Sequence, residues 1–257
     1  MIEKVQLPNV RKVFIPDPSH TIADCDLSGA DAQVVAWEAG DEPLKQAFRE
    51  GLDVHTQNAI DMLGPKFSKL SLDDPLRKRL RNKNKVGVHL TNYGGSARVC
   101  SLSLGWTMRE AEDFQARWFS AHPAIKDWHD HVLRQLLENK TVWNKFGFSR
   151  TYFDRLDKLL PEALAWIPQS TVAIVCSKGM MKLEAEVPEC ELLIQVHDSV
   201  VFQFLTRLRG PALMNKIRRA LTVVTPYDDP LTIPWGLALS DRSWGEVKET
   251  PWPEDSA

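Results

Sequence analysis

Alternating and periodic apolar positions divide the chain into short strands and longer helices. A strand is predicted at residues 21–27, and a helix begins near Ala30. Asp41-Glu42-Pro43 is predicted to end that helix, because proline disfavours helical geometry in the residue before it. Further helices are predicted at residues 44–50, 53–63, 74–91, 107–121 and 123–139, and the segment Thr107-x-x-Glu110 is a capping box for the fourth of them.

The second half of the sequence contains two predicted hairpins separated by a long buried helix. The first hairpin is predicted at residues 140–153, the helix at 162–186, and the second hairpin at 191–195 and 200–205. Val196-His197-Asp198-Ser199 joins the strands of the second hairpin. A helix at 208–221, a last strand at 231–239 and a frayed tail at 250–257 follow. The fold class is therefore predicted as α+β, with a mainly antiparallel sheet and a helical insertion.

The composition is that of an ordinary folded protein, since 43% of the 257 residues are hydrophobic and 26% are charged. The 32 Lys and Arg are balanced by 34 Asp and Glu, so any surface for nucleic acid must be local. The four cysteines are scattered, which favours free thiols over disulfides or a zinc site. No run approaches the roughly 18 apolar residues of a membrane span, and we expect a cytoplasmic protein without a membrane partner.

Two aspartates lie where a predicted strand meets a turn. Asp26 ends the first strand, and Asp198 lies in the turn of the second hairpin. Ionised acids beside buried strands are costly unless they are paired or bind a metal, and two on neighbouring strands suit Mg²⁺. Taken alone, a single Asp in a turn is usually only a turn former.

A basic helix supplies a second group of candidate residues. Its N-cap is predicted at Asp73 or Asp74, and Arg81, Lys85, His89 and Tyr93 follow at intervals of four residues. Each interval advances about 40° around the axis, so the four side chains form one stripe roughly 18 Å long. The first two suit phosphates, and the last two suit stacking on bases or sugar. By itself, such a helix is more often a solvated face.

These segments resemble the motifs of family A DNA polymerases, the bacterial DNA polymerase I type. IADCDLSGADAQ is similar to the first palm motif, the stripe R-x-x-x-K-x-x-x-H-x-x-x-Y-G to the fingers helix, and QVHDSVVFQF to the second palm motif. GLDVHTQNA, WIPQST and SWGE extend the resemblance over nearly the whole chain, and WIPQST is similar to phage members. The resemblance implies palm segments at residues 1–40 and 141–257, with the fingers at 41–140.

The resemblance also implies a reaction and its site residues. Asp26, Asp198 and the backbone carbonyl of Leu27 would bind two Mg²⁺ ions, which Mn²⁺ can replace, for nucleotidyl transfer from a dNTP to a primer 3'-hydroxyl. The residues implied to bind the dNTP are Arg81, Lys85 and His55 at its phosphates, with His89, Tyr93 and Asp31.

The remaining implied roles concern the sugar, the template and the duplex. Tyr93 would lie near the template base and the sugar, and Asp31 would exclude a ribose 2'-hydroxyl. Gln169 and His197 match positions that contact the minor groove of the primer-template. The chain departs from the family pattern at several positions, which are Asp31 for Glu, His89 for an aromatic residue, Leu90 for Gly, Gln33 for Arg, Ser199 for Glu and Pro161 for Arg.

The resemblance further implies a partner chain. In the family the thumb and any exonuclease precede the palm, whereas 25 residues precede Asp26 here. We therefore expect a companion polypeptide that carries the thumb and any exonuclease, encoded separately or removed from this chain, and that docks near residues 1–16. The alternative is a truncated or decayed reading frame without a partner.

Two other functions fit parts of the sequence. Asp24-Cys25-Asp26 could be the D-x-D motif of a haloacid dehalogenase-like phosphatase, which requires a parallel sheet with alternating helices. The chain could also be a non-catalytic DNA-binding subunit derived from the polymerase fold, although such a subunit would not need both aspartates.

Overall fold

The computed structural model describes residues 8–154 and 159–254. The chain forms two compact units, one containing residues 1–30 and 172–257 and the other residues 31–171. The first unit is built on a sheet, and the second is mainly helical. The assignment of palm and fingers segments with boundaries at 40 and 140 stays a prediction.

The strands and helices of the described residues follow in chain order. The strands are β1 (His20–Leu27), β2 (Thr141–Trp143), β3 (Ser149–Thr151), β4 (Cys190–Val196), β5 (Ser199–Leu205), β6 (Val224–Thr225), β7 (Leu231–Thr232), β8 (Trp235–Ser240) and β9 (Lys248–Glu249). The helices are α1 (Ala30–Ala39), α2 (Glu42–Arg49), α3 (Val54–Leu63), α4 (Pro65–Ser68), α5 (Pro75–Asn92), α6 (Ala97–Leu104), α7 (Met108–Ala121), α8 (Pro123–Asn139), α9 (Leu159–Glu186) and α10 (Pro211–Leu221).

The main sheet has five strands in the order β4-β5-β1-β8-β9, and every neighbouring pair is antiparallel. Strand β5 is buried over most of its length, and Val200, Val201 and Phe202 are fully buried. On one face, Ile22 of β1 packs with Val201 and Trp244. The antiparallel sheet confirms the predicted α+β class, and it does not fit the parallel sheet that the phosphatase alternative requires.

Local sequence signals explain the helix that carries the basic stripe. Asp74 caps α5, since its carboxylate accepts a hydrogen bond of 2.8 Å from the Leu76 amide, and Pro75 occupies the first turn. The opposite side of α5 is buried. Gly87 lies there against Trp106, whose ring would be 2.9 Å from an added Cβ. A side chain at position 87 would therefore push α5 away from its neighbours.

Most predicted elements are confirmed within a few residues, including the capping box of α7 and both hairpins. The predicted role of Pro43 is wrong. Helix α1 ends before Gly40, which has a φ of 67°, while Asp41 caps α2 and Pro43 lies in the first turn of α2. Proline is tolerated there because the first turn leaves its backbone nitrogens without partners in any case.

Three further predictions need correction. Helix α6 was missed, because its sequence ARVCSLSL is short and has no strong apolar stripe. The last strand is divided, since Pro234 separates β7 from β8. The tail is not frayed over its described part, because Trp252 donates a hydrogen bond of 2.6 Å to the Trp235 carbonyl; residues 255–257 lie outside the described residues.

Helix α9 is more apolar than the sequence analysis allowed. It has 28 residues and contains an 18-residue window with a mean hydropathy of 1.3, so its length and composition would permit a membrane crossing. Half of that window is buried inside the fold, as in the core helix of a globular protein. The expectation that no such segment exists is therefore wrong.

The four cysteines are all buried and free, as their scattered spacing predicts. Burial raises the pKa of the Cys25 thiol, and the charge of Asp24 acts in the same direction. These thiols are therefore protonated core residues at neutral pH.

Candidate functional site

The register of the central strands brings Asp26 and Asp198 to the same end of the sheet. Asp26 is paired with Ser199 across β1 and β5, and the Leu27 amide donates a hydrogen bond of 3.0 Å to the Asp198 carbonyl. His197 has a φ of 55°, so the turn between β4 and β5 is tight. Asp26 on β1 and Asp198 in the turn that leads into the neighbouring strand β5 therefore lie at the same end of the sheet.

Both acids line one open concavity of about 910 Å³, together with Asp24 and the main chain around Gly236. Asp26 is exposed and Asp198 is half-buried. Beneath them lies Cys176 of α9. Burial, opposed by a hydrogen bond from Gln195 and reinforced by the charges of Asp198 and Asp26, raises the pKa of Cys176 to about 11. The effect of both carboxylates on one thiol is a further sign that their charges lie close together.

Asp24 belongs to the same concavity, and the sequence analysis did not assign it to the site. It lies two residues before Asp26, so the two side chains project from the same face of β1. Trp244 Nε1 donates a hydrogen bond of 2.6 Å to Asp24 Oδ2, and the Ser199 hydroxyl donates to Oδ1. The spacing of 24 and 26 along one strand was the available signal.

The donor set of this concavity fits a hard divalent cation. Within residues 8–154 and 159–254, no cluster of three or more His, Cys, Asp or Glu side chains forms a closed metal site. Mg²⁺ does not need one, because it is commonly held by one or two carboxylates while waters and substrate phosphates complete its shell. Asp26 and Asp198 supply two such carboxylates. The backbone carbonyl of Leu27 ends the same strand, and its role as a ligand stays a prediction.

The helical unit carries the basic stripe on α5. Arg81 is partly buried, whereas Lys85 is exposed and forms no ion pair or hydrogen bond with the part of the chain that the structure describes. The rings of His89 and Tyr93 are in edge contact, with centroids 4.2 Å apart. Partial burial lowers the pKa of His89, and Lys85 adds to this effect while Asp31 opposes it. The stripe thus changes from cationic to aromatic along the helix.

Arg81 is held by residues at the start of α3. Its Nη2 donates to Asp53 Oδ1 at 2.7 Å, and its Nε donates to Thr56 Oγ1 at 2.9 Å. Arg81 is a phosphate ligand predicted from the sequence, whereas Asp53 is a residue that the sequence did not indicate. The pairing of a stripe residue with an acid on another helix is a tertiary contact, for which the helical spacing gave no signal.

His55 lies in the first turn of the same helix α3. Burial, together with the charges of Lys85 and Arg81, lowers the pKa of His55 to about 4. At neutral pH the imidazole is therefore uncharged, and its Nδ1 is a buried polar atom without a hydrogen-bond partner among the described residues.

The lowered pKa predicts a contribution of His55 to acid sensitivity. The ordinary histidine pKa of about 6.5 applies in the unfolded chain, so the unfolded state binds the proton more tightly. Stability should fall as the pH decreases from 6.5 towards 4. We expect His55→Gln to lose less stability than the wild type between pH 7 and pH 5, as measured by urea midpoints. His131→Gln, which alters an exposed histidine of α8, is the control; if His55→Gln lost as much as the wild type, the prediction would be wrong.

Asp31 and Tyr93 lie close together at the end of the stripe. Burial raises the pKa of Tyr93 above its ordinary value, and the Asp31 carboxylate raises it further. The Tyr93 hydroxyl is buried, and it makes no hydrogen bond of normal geometry with the described residues. The structure thus places together the two residues predicted to lie near the sugar, and their roles stay predictions.

Gln169 and His197 are the two predicted duplex contacts. Gln169 is exposed on α9, directly after Pro168, and His197 is exposed in the turn that contains Asp198. Both side chains are accessible to a partner. Their contact with a duplex is not tested by these positions and stays a prediction.

Comparison with known proteins gives one consistent result. The sequence profile of DNA polymerase family A matches residues 2–243. The thermostable DNA polymerase I of Thermus filiformis is 30% identical over 249 residues, which cover 93% of this chain and 29% of that protein. The DNA polymerase of Mycobacterium phage D29 is 28% identical over 244 residues, covering 93% of this chain and 37% of the phage protein.

A solved structure shares the fold. It is described as the POL domain of Pol1 from M. smegmatis in complex with DNA primer-template and dNTP. The TM-score is 0.78 and the sequence identity is 18%, with 95% of this chain and 44% of that chain covered. The chain therefore spans less than half of the solved domain, and about 29% of the length of the Thermus relative.

Proposed function

The chain belongs to DNA polymerase family A, and we propose that it catalyses template-directed DNA synthesis by nucleotidyl transfer from a dNTP to a primer 3'-hydroxyl. In this reaction the primer 3'-oxygen forms a bond to the α-phosphorus of the dNTP, and the bond from that phosphorus to the β-phosphate oxygen breaks. Pyrophosphate leaves. The observation that carries the proposal is that Asp26 of β1 and Asp198 of the turn before β5 line one concavity, within a chain that matches the family over residues 2–243.

The carboxylates of Asp26 and Asp198 would hold two Mg²⁺ ions, with the Leu27 carbonyl as a further ligand. Bound there, the ions would supply activation of the 3'-hydroxyl and neutralisation of the charge that develops on the leaving group. The chain contributes fixed oxygen donors at the end of a rigid sheet. Asp26 is attached to the central strand β1, and Asp198 to the turn that leads into the central strand β5.

The nucleotide would be bound by the stripe on α5. Lys85 presents an exposed ammonium to the phosphates, Arg81 presents a planar guanidinium, and His55 contributes a ring nitrogen. His89 and Tyr93 would face the base and sugar, with Asp31 beside Tyr93. Gln169 and His197 would contact the primer-template, which we propose as the macromolecular substrate.

Primer extension tests the proposal directly. The chain is incubated with a labelled primer-template, the four dNTPs and Mg²⁺, and we expect the primer to lengthen according to the template sequence. Reactions without Mg²⁺ or without template are the controls. Binding of primer-template without any extension, under conditions in which the protein is folded, would instead support the non-catalytic DNA-binding alternative.

Lys85→Ala should weaken nucleotide use more than DNA binding. A charge-assisted hydrogen bond contributes roughly 1.5–3 kcal/mol, which corresponds to a loss of about 10- to 100-fold in kcat/KM for dNTP. Both kcat and KM should change, since the contact between Lys85 and the phosphates strengthens as pyrophosphate leaves.

A matched control for Lys85 is available on the same helix. Lys83 lies about 200° around α5 from Lys85, so Lys83→Ala removes an identical charge from the opposite face. We expect little change in kcat/KM for that variant. Steady-state extension with dNTP titration and a separate primer-template binding assay decide the matter. If Lys85→Ala lost DNA affinity and kept normal dNTP kinetics, the stripe would be a contact to the DNA backbone.

The companion polypeptide expected from the sequence remains a proposal. In the described segment before β1, Val10, Val13 and Ile15 expose 69%, 71% and 70% of their surface. Exposed apolar side chains that lie together suit contact with a partner. Pull-down from the native host followed by size-exclusion chromatography tests this, and a processive enzyme that runs as a 29.2 kDa monomer would refute it. Cytoplasmic localisation likewise remains a proposal.

A further inference from the structure

The guanidinium of Arg81 is bound by a carboxylate of the chain itself, that of Asp53. Arg81 Nη2 lies 2.7 Å from Asp53 Oδ1 and 3.0 Å from Oδ2, and Arg81 Nε lies 3.2 Å from Oδ2. Two nitrogens of the fork therefore meet one carboxylate. This is also the geometry with which arginine binds a phosphate group. The same nitrogens cannot make full contacts with Asp53 and with a phosphate at once.

Asp53 is fixed independently of Arg81. It is the N-cap of α3, where its carboxylate accepts hydrogen bonds of 3.1 Å from the Thr56 amide and 2.6 Å from the Thr56 hydroxyl. Partial burial acts to raise the pKa of Asp53, but the hydrogen bonds from Arg81 and Thr56 outweigh it and lower that pKa to about 2. The carboxylate is ionised at every physiological pH, so it remains a competitor for the guanidinium.

The pair is accessible from solvent and lies among cations. The side chains of Arg81 and Asp53 are 31% and 53% exposed, so a phosphate can reach them. Lys85 and Arg81 both lower the pKa of His55, while Asp53 acts in the opposite direction. Asp53 therefore reduces the positive potential of the group formed by Arg81, Lys85 and His55. Lys85 differs from Arg81, because it has no ion-pair partner among the described residues.

We propose that Asp53 is a positioning residue that holds Arg81 against the start of α3 and competes with the incoming triphosphate for its guanidinium. The inference rests on the proposed role of α5 in dNTP binding and adds a control of affinity to it. Binding of the nucleotide then requires an exchange, in which Arg81 leaves one anion and joins another. The free-energy cost of that exchange weakens the dNTP complex. After the exchange, Asp53 keeps its hydrogen bonds with Thr56.

The variant Asp53→Asn separates the charge from the cap. Asparagine is as good an N-cap as aspartate, so α3 should remain folded while the competing charge is lost. An exposed ion pair is weak, and we therefore expect KM for dNTP to fall about two- to fivefold with kcat changed much less. Asp53→Ser, which also caps a helix, should act in the same direction. Asp61→Asn, an exposed acid farther along α3, is the matched control and should leave KM unchanged.

A double-mutant cycle distinguishes competition from a structural role. The gain from Asp53→Asn should disappear in an Arg81→Ala background, because no guanidinium is left to release. If Asp53 had a merely structural role, the effect of Asp53→Asn on KM would instead persist in that background. Urea midpoints of all variants establish that α3 is intact.

A binding measurement separates this inference from the proposed reaction. Calorimetric titration with dATP in the absence of primer reports the affinity without any chemistry, so it can be read even if the chain extends no primer. We expect Asp53→Asn to bind dATP more tightly than the wild type does. This gain should be lost when Arg81 is replaced by Ala. Unchanged or weaker binding by a folded Asp53→Asn, or a gain that survives in Arg81→Ala, would overturn the competition.

Discussion

Asp26→Ala and Asp198→Ala should each reduce primer extension by about 10³-fold or more while the sheet stays folded. Each change removes a fixed anion from the place where a metal would stabilise the charge that develops in the transition state. Asp26 is exposed and Asp198 is half-buried, so neither side chain fills the core. Extension rates with a saturating primer-template measure the loss of activity, and urea midpoints show whether the sheet stays folded.

The control for this prediction is an acid outside the concavity. Asp228 is exposed in the loop between β6 and β7, and Asp228→Ala changes the net charge of the chain by the same amount. It should retain full extension. A second measurement tests the metal itself, since Mn²⁺ binding followed by electron paramagnetic resonance should weaken in both site variants. Extension that persists at more than a few per cent in either variant would exclude the two-metal assignment.

The acids could be found in the sequence because their surroundings are local. A short apolar strand that ends in Asp26, and two apolar runs joined by a turn that contains Asp198, can be recognised from neighbouring residues alone. The stripe on α5 can also be recognised from neighbouring residues. The cap at Asp74 fixes where the helix begins, and the spacing of four residues places the stripe on one face of the helix. Local pattern was therefore sufficient to predict where these side chains lie on their elements, while their roles were implied by the resemblance to the family and stay predictions.

The contacts that the sequence did not predict are tertiary. Asp24 is held by Trp244, which is 220 residues away, and Arg81 is held by Asp53, which is 28 residues away. Periodicity states which side chains share a face, but the partner on that face depends on how elements pack. The same limit applies to α9, since half of its most apolar window is buried inside the fold and the sequence does not show which half.

The stripe ends at Tyr93, and the backbone geometry after it favours glycine at position 94. Helix α5 ends at Asn92, the Gly94 amide donates a hydrogen bond of 3.0 Å to the Thr91 carbonyl, and Gly94 has a φ of 70°. This left-handed conformation favours glycine, because a Cβ there approaches the following carbonyl oxygen. An added Cβ would also lie 2.9 Å from Leu164 Cδ1, and Leu164 is fully buried.

Gly94→Ala should therefore destabilise the helical unit by about 2–5 kcal/mol. The left-handed backbone costs about 1–2 kcal/mol for a residue other than glycine, and overpacking against a buried side chain adds about 1–3 kcal/mol. Gly105→Ala is the matched control, since Gly105 has a φ of 63° in the same unit and an added Cβ there would have no neighbour within 4 Å. That variant should lose only about 1–2 kcal/mol, which is the backbone cost alone. Urea unfolding of the two variants measures the difference, and equal losses would show that Leu164 yields to the new methyl group and that only the backbone conformation requires glycine at position 94.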